Sequence, residues 1–103
     1  MKCLDDCHTY DLDVIPGDFG SKPSHLDFYR LRPDGGKEPG TTNEEVLRVL
    51  IHRLMFLNEE WQGGKFKCKE NTEALICLNH ALFMLEMRTK KRTERGVEGT
   101  QEP

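Results

Sequence analysis

The period of the apolar residues changes once along this chain. In the first part they alternate: Tyr10, Leu12 and Val14 in one stretch, Leu26 and Phe28 in another. A period of two puts such residues on one face of a strand, so both stretches predict short half-buried strands. PGDFGSKPS between them and RPDGGKEPG after them carry turn chemistry, and together they predict one irregular β-hairpin. From Thr41 the spacing lengthens. Val46, Leu47, Leu50, Leu54, Leu57 and Trp61 recur at three and four, with Ile51 and Met55 widening the stripe, which predicts an amphipathic helix. Its start is marked twice, by Thr41 with Glu44 and by Thr42 with Glu45, both in capping-box spacing. Gln62, Gly63 and Gly64 end it. After KFKCKEN a second helix begins at about Glu70, striped by Leu75, Leu78, Leu82 and Leu85 with Ala74 and Ala81 beside them. The connection is short, so the two helices predict an antiparallel hairpin. The fold class is α+β: a short N-terminal β-hairpin followed by an antiparallel two-helix hairpin. Residues 1–40 form the irregular strand-bearing segment and 41–100 the helical-hairpin region of one overall domain, with EGTQEP as a frayed tail.

Composition narrows the function classes. The chain has 103 residues, 32% of them charged, a mean hydropathy of −0.68 and a formal net charge of −3. A net negative body argues against coating a nucleic-acid polymer, whose phosphates reward positive charge. No apolar run approaches the ~20 residues of a membrane span. The first residues, MKCLDDCHTY, lack the apolar core of a secretory signal, so a cytoplasmic location is expected. Cys3, Cys7, Cys68 and Cys77 are then expected as reduced thiols. Cys3, Cys7 and His8 would make half a zinc site, but a second ligand pair is missing, so no metal is expected. A domain of this size buries only about 60–65% of its unfolded surface, which favours self-association into a homo-oligomer.

The candidate chemistry lies at the end of the second helix, in RTKKRTERGVEGT. Beyond Leu85 the stripe passes to Arg88, Arg92 and Arg95. Residues three and four apart on a helix stand about 5–6 Å from each other, so the three guanidiniums would form a comb. Their planar forks suit paired phosphate oxygens. On the residues alone two readings stand level: a site for a small phosphorylated ligand, or ion pairs with acids such as Glu44 and Glu45 or with a second subunit. Lys90 and Lys91 point off the stripe and would serve the helix dipole. Phe56, Trp61 and Phe66 gather near the connection and could stack on a base. Asn71 could read a base edge or merely cap the second helix. The connection and the arginines lie at opposite ends of that helix, so a pocket using both would sit between subunits. No Gly-x-Ser-x-Gly, Walker loop or pair of carboxylates at catalytic spacing is present, and His52 and His80 stand singly on helices. A binding protein, neither an enzyme nor dependent on a cofactor, is expected.

EEVLRVLIHRL at 44–54, Cys-x-Glu-Asn at 68–71, Leu-Glu-x-Arg-Thr-x-x-Arg at 85–92 and RGVEGT at 95–100 resemble phage proteins of the Thoeris anti-defence sponge family. These share a helical-hairpin domain with the anti-CBASS cyclic-nucleotide sponges. The resemblance covers about 60 residues and implies a non-enzymatic homo-oligomer, from dimer to hexamer. It would capture immune signalling nucleotides, cyclic ADP-ribose isomers or cyclic oligonucleotides, without cleaving them. Carried over, the ligand residues are Phe56 or Leu57, Asn71, Arg88 and Arg92, with Arg95 nearby and Arg53 at a second, cyclic-oligonucleotide site. Residues 1–40 match only as a strand-bearing front piece, which in the family helps to choose the ligand.

Overall fold

The structure, a computed structural model, describes residues 1–96. It comprises two compact units, Met1–Thr42 and the chain from Asn43 onward. The expected tail and the part of RGVEGT beyond Gly96 lie outside the described residues.

The first unit holds more strand than one hairpin. β1 (Lys2–Asp5), β2 (Thr9–Leu12) and β3 (Ser24–Asp27) form an antiparallel sheet in that order, and β4 (Arg30–Leu31) pairs with β5 (Lys37–Glu38) in a separate ribbon. The expected pairing of the Tyr10 and Leu26 stretches is present, in direct register. β1 is the strand that alternation does not mark, because its four residues carry no apolar repeat. Cys3 opposes Tyr10, and Tyr10 opposes Leu26, so the three stand in a row across the sheet. Val14 and Phe28 fall outside the strands. Phe28 instead bridges Thr41, and the Tyr10 ring meets the Phe28 ring edge-on at 5.9 Å. Gly40 makes that bridge possible, since a Cβ there would lie 2.2 Å from the Phe28 carbonyl carbon.

The β1–β2 turn is tight. His8 N–H donates to the Asp5 carbonyl at 2.7 Å, and both central residues, Asp6 and Cys7, have positive φ (36° and 63°). Two positive φ values suit the twist of a two-residue hairpin, and they favour Asn-Gly over Asp-Cys.

The second unit is the helical hairpin. α1 (Asn43–Met55) starts one residue after Thr42, which puts the Thr42–Glu45 pair in capping register. The helical path then widens to a π-helical turn at Phe56–Glu60, narrows to a 3-10 turn at Trp61–Gly63, and stops with Gly63 and Gly64 at φ 70° and 81°. α2 (Lys69–Glu94) follows. The half-buried row of α1 is Leu47, Ile51 and Leu54, ending in Asn58, the one fully buried side chain among the described residues. Leu50, Met55 and Trp61, expected in the stripe, are exposed. They sit on its flanks, because a seam of contact with one partner helix is narrower than the apolar stripe.

No apolar side chain among the described residues is fully buried. Polar contacts cross or brace the hairpin at two levels. Midway, Arg48 donates to Glu45 at 3.1 Å and across to Glu86 of α2 at 3.2 Å. At the connection, Asn58 Oδ1 accepts the Cys68 backbone N–H at 3.2 Å, while its Nδ2 reaches Glu59 at 3.3 Å and Thr72 at 3.5 Å.

Candidate functional site

α2 carries its polarity change where the sequence expects it, with one correction in angle. Its half-buried row runs Leu75, Leu78, Leu82, Leu85, Thr89 and Arg92. Thr89, not Arg88, follows Leu85 on that face, and Arg88 and Arg95 are exposed on its flank. A step of three falls about 60° short of a full turn, so the two successive steps from Leu82 through Leu85 to Arg88 leave the seam, while the step of four to Thr89 restores it and Arg92, seven from Leu85, keeps to it.

The three arginines nevertheless come together. Arg88, Arg92 and Arg95 line one open trough of about 660 Å³ with Lys91, Glu94, Met84 and Met87. That volume lies within the range of small-molecule sites, roughly 300–1,000 Å³. Lys91, expected only to serve the helix dipole, belongs to the trough as well; its step of three from Arg88 is the signal for this. The two methionines give the trough an apolar part against which a flat group can lie.

The charge in this trough is unevenly signed. A helix C-terminus carries only about half a negative elementary charge. Arg88, Lys91, Arg92 and Arg95 bring four positive charges and Glu94 one negative. Among the described residues Arg88 forms no ion pair with the acids of α1. Glu45 is engaged by Arg48, which it and Glu86 hold above the usual arginine pKa, Glu45 contributing most.

The other expected site residues lie apart from this trough within one chain. Arg53 and Phe56 line a second concavity, of about 760 Å³, along α1 with Glu45, Arg48, Val49 and His52. Phe56 is exposed there and Leu57 is half-buried, so of the two alternatives Phe56 offers a ring face to a ligand. Trp61 and Phe66 stack on each other, centroids 5.1 Å apart and planes 10° from parallel, with Lys65 Nζ 5.9 Å from the Phe66 centroid. Asn71, in the first turn of α2, donates to the Phe66 carbonyl at 2.9 Å. It therefore ties down the connection and keeps its oxygen for another donor. Asn71 and Arg88 are 17 residues apart on one helix, which is about 25 Å.

Asn58 is a structural residue that the apolar pattern does not name. It continues the row of Leu47, Ile51 and Leu54 by a step of four, so its buried position is readable as a polar residue on the inner face. In the first unit, Cys3 Sγ and Cys7 Sγ lie 4.0 Å apart. The Tyr10 phenol is held above its ordinary pKa, chiefly by its hydrogen bond to Cys7. No cluster of three or more His, Cys, Asp or Glu side chains that could hold a metal occurs among the described residues. No helix among them is long and apolar enough to cross a membrane.

No protein-family model matches the chain. Among curated proteins it is similar to Thoeris anti-defense 1 of Bacillus phage SBSphiJ7, 41% identical over 89 residues. Those residues are 86% of this chain and 60% of that protein, so the chain spans well under the full length of its relative.

Proposed function

We infer that this chain, which belongs to the phage Thoeris anti-defence family, counters host defence in the host cytoplasm by holding a small anionic signalling nucleotide without cleaving it. Cyclic ADP-ribose isomers are the first candidates and cyclic oligonucleotides the second. The observation that carries this reading is the trough of Arg88, Lys91, Arg92 and Arg95 over Met84 and Met87. It joins a cluster of basic side chains to an apolar surface, the two things a pyrophosphate and its base require. Arg92 is half-buried, so its bonds to phosphate oxygens form out of bulk water, where they are strongest.

The reading extends to a homo-oligomer. Asn71 and the aromatic side chains of the connection stand about 25 Å or more along α2 from the arginines, too far for one nucleotide to touch both in one chain. A second protomer packed head to tail would bring its connection to the first protomer's trough. Val49, Leu50, Ile76, Phe83 and Met84 are exposed apolar side chains on the two helices, available for such packing. Arg53 and Phe56, in their own concavity, form the candidate second site.

Calorimetry with cyclic ADP-ribose isomers and cyclic di- and trinucleotides tests the reading, followed by chromatography of the released ligand. The expected result is tight binding of at least one compound and its recovery unaltered. Arg92→Ala should weaken that binding by ~1.5–3 kcal/mol, roughly tenfold to hundredfold. No binding by a folded protein ends the proposal, and recovery of a cleaved product replaces the sponge with an enzyme. A second reading, an assembly protein whose arginines make subunit ion pairs, draws on Arg48, which already bridges the two helices in this way. Under it Arg92→Ala would dissociate the oligomer in size-exclusion chromatography even with no nucleotide present.

A further inference from the structure

Outside the helical hairpin, the most unusual local geometry is the β1–β2 turn. Cys7 occupies the second central position of a turn whose central residues both have positive φ, a place that glycine fills without strain. A side chain held in the left-handed region is strained, and an observed outlier of this kind motivates a functional hypothesis. The effect here is specific: it sets Cys7 Sγ 4.0 Å from Cys3 Sγ.

That spacing has a chemical meaning. A disulfide needs about 2.05 Å between sulfurs, half the distance observed. Two thiolates sharing one ion at ~2.3 Å each stand about 3.8 Å apart at a tetrahedral angle and about 4.6 Å apart in a line. The observed 4.0 Å falls between these limits. Both thiols are exposed, so an ion can enter from solvent. The pair is also supported from behind. Tyr10 stands directly opposite Cys3 in the sheet, and its ring is braced against Phe28.

Zinc is the wrong ion for this set. It takes four ligands, and no third or fourth His, Cys, Asp or Glu joins the pair among the described residues. A soft monovalent ion of the copper(I) type selects thiolates and is satisfied by two of them.

We propose that Cys3 and Cys7 form a two-sulfur binding site for a soft monovalent cation of the copper(I) class, which clamps strand β1 to its turn. Binding converts two thiols to thiolates and releases two protons to solvent, with no change in oxidation state of copper or sulfur. The clamp acts on a unit that buries no apolar side chain, so the ion's binding energy adds directly to its stability.

The test is an anaerobic titration of the full-length reduced protein with copper(I), in competition with the chromophoric chelator bicinchoninate. One ion per chain is expected, with a thiolate-to-copper absorption band in the near ultraviolet. Cys7→Gly is the decisive variant. Glycine suits the positive φ, so the variant should unfold no earlier than the parent while binding copper(I) at least a hundredfold more weakly. Cys3→Ser should lose the ion as well, whereas the double variant Cys68→Ser/Cys77→Ser should keep it. Zinc should bind at least a hundredfold more weakly than copper(I). The proposal is overturned if Cys7→Gly binds as the parent does, if zinc competes on equal terms, or if the protein ends about 2 Da lighter as a copper-free disulfide.

Discussion

The two ends of the helical hairpin are built on opposite principles. At the connecting end, polar groups are satisfied by the chain itself. Asn58 is buried with its amide engaged by Cys68, Glu59 and Thr72, Asn71 holds the Phe66 carbonyl, and Trp61 stacks on Phe66. At the other end, where α2 runs out, Arg88, Lys91, Arg92 and Arg95 collect in one trough with a single acid, Glu94. One end uses its hydrogen bonds for internal order; the other gathers four basic side chains in one open trough. A gathering of cations in one concavity is where anion binding is to be sought.

The strongest way to break this comparison is at Asn58. Asn58→Ala leaves the Cys68 N–H without its acceptor and opens a cavity beside α2. We expect a loss of about 2–3 kcal/mol in urea unfolding, larger than that of any other single substitution proposed for the hairpin. A midpoint within error of the parent would mean that the π-helical turn holds itself, and that the polar clasp is incidental.

A change of intermediate size sharpens the comparison from the other end. Arg88→Gln/Arg95→Gln removes two exposed charges from the trough and keeps much of the length of both side chains. Stability should stay within about 0.5 kcal/mol or rise, as repulsion is relieved. Affinity for a bound cyclic nucleotide should fall roughly tenfold or more, and what remains should depend less on salt. A marked loss of stability with unchanged affinity would invert the assignment and give these arginines a structural role.

The helical pattern was legible because a 3.6-residue period is written directly in apolar spacing. Leu47, Ile51, Leu54 and Leu75, Leu78, Leu82, Leu85 name the seam. The grouping of Arg88, Arg92 and Arg95 in one concavity was legible for the same reason, although their angle was not: steps of three drift off the seam that steps of four restore. β1 was hidden because Lys2–Asp5 carries no alternation and pairs through register set by the turn. The π-helical turn was hidden because widening a hydrogen-bond ring by one residue changes no residue type. Asn58 is readable only if phase is followed past the end of the apolar run, as a polar residue in step with the leucines.

The smallest effect separates the middle of the hairpin from both ends. Arg48 reaches Glu45 on its own helix and Glu86 on the other, at 3.1 and 3.2 Å. The geometry invites a structural claim, but all three side chains are about half exposed, and ion pairs in water contribute little. The Glu45 half is readable from its i,i+3 spacing; the Glu86 half requires the fold. Arg48→Met keeps the stem that covers the helix and removes the charge. Its denaturation midpoint should therefore fall less than that of Asn58→Ala, and the difference from the parent should vanish at about 0.5 M salt, where screening acts within a few ångströms. A salt-independent loss as large as that of Asn58→Ala would show that this ion pair closes the hairpin. The contrast would then lie between the open arginine end and everything else.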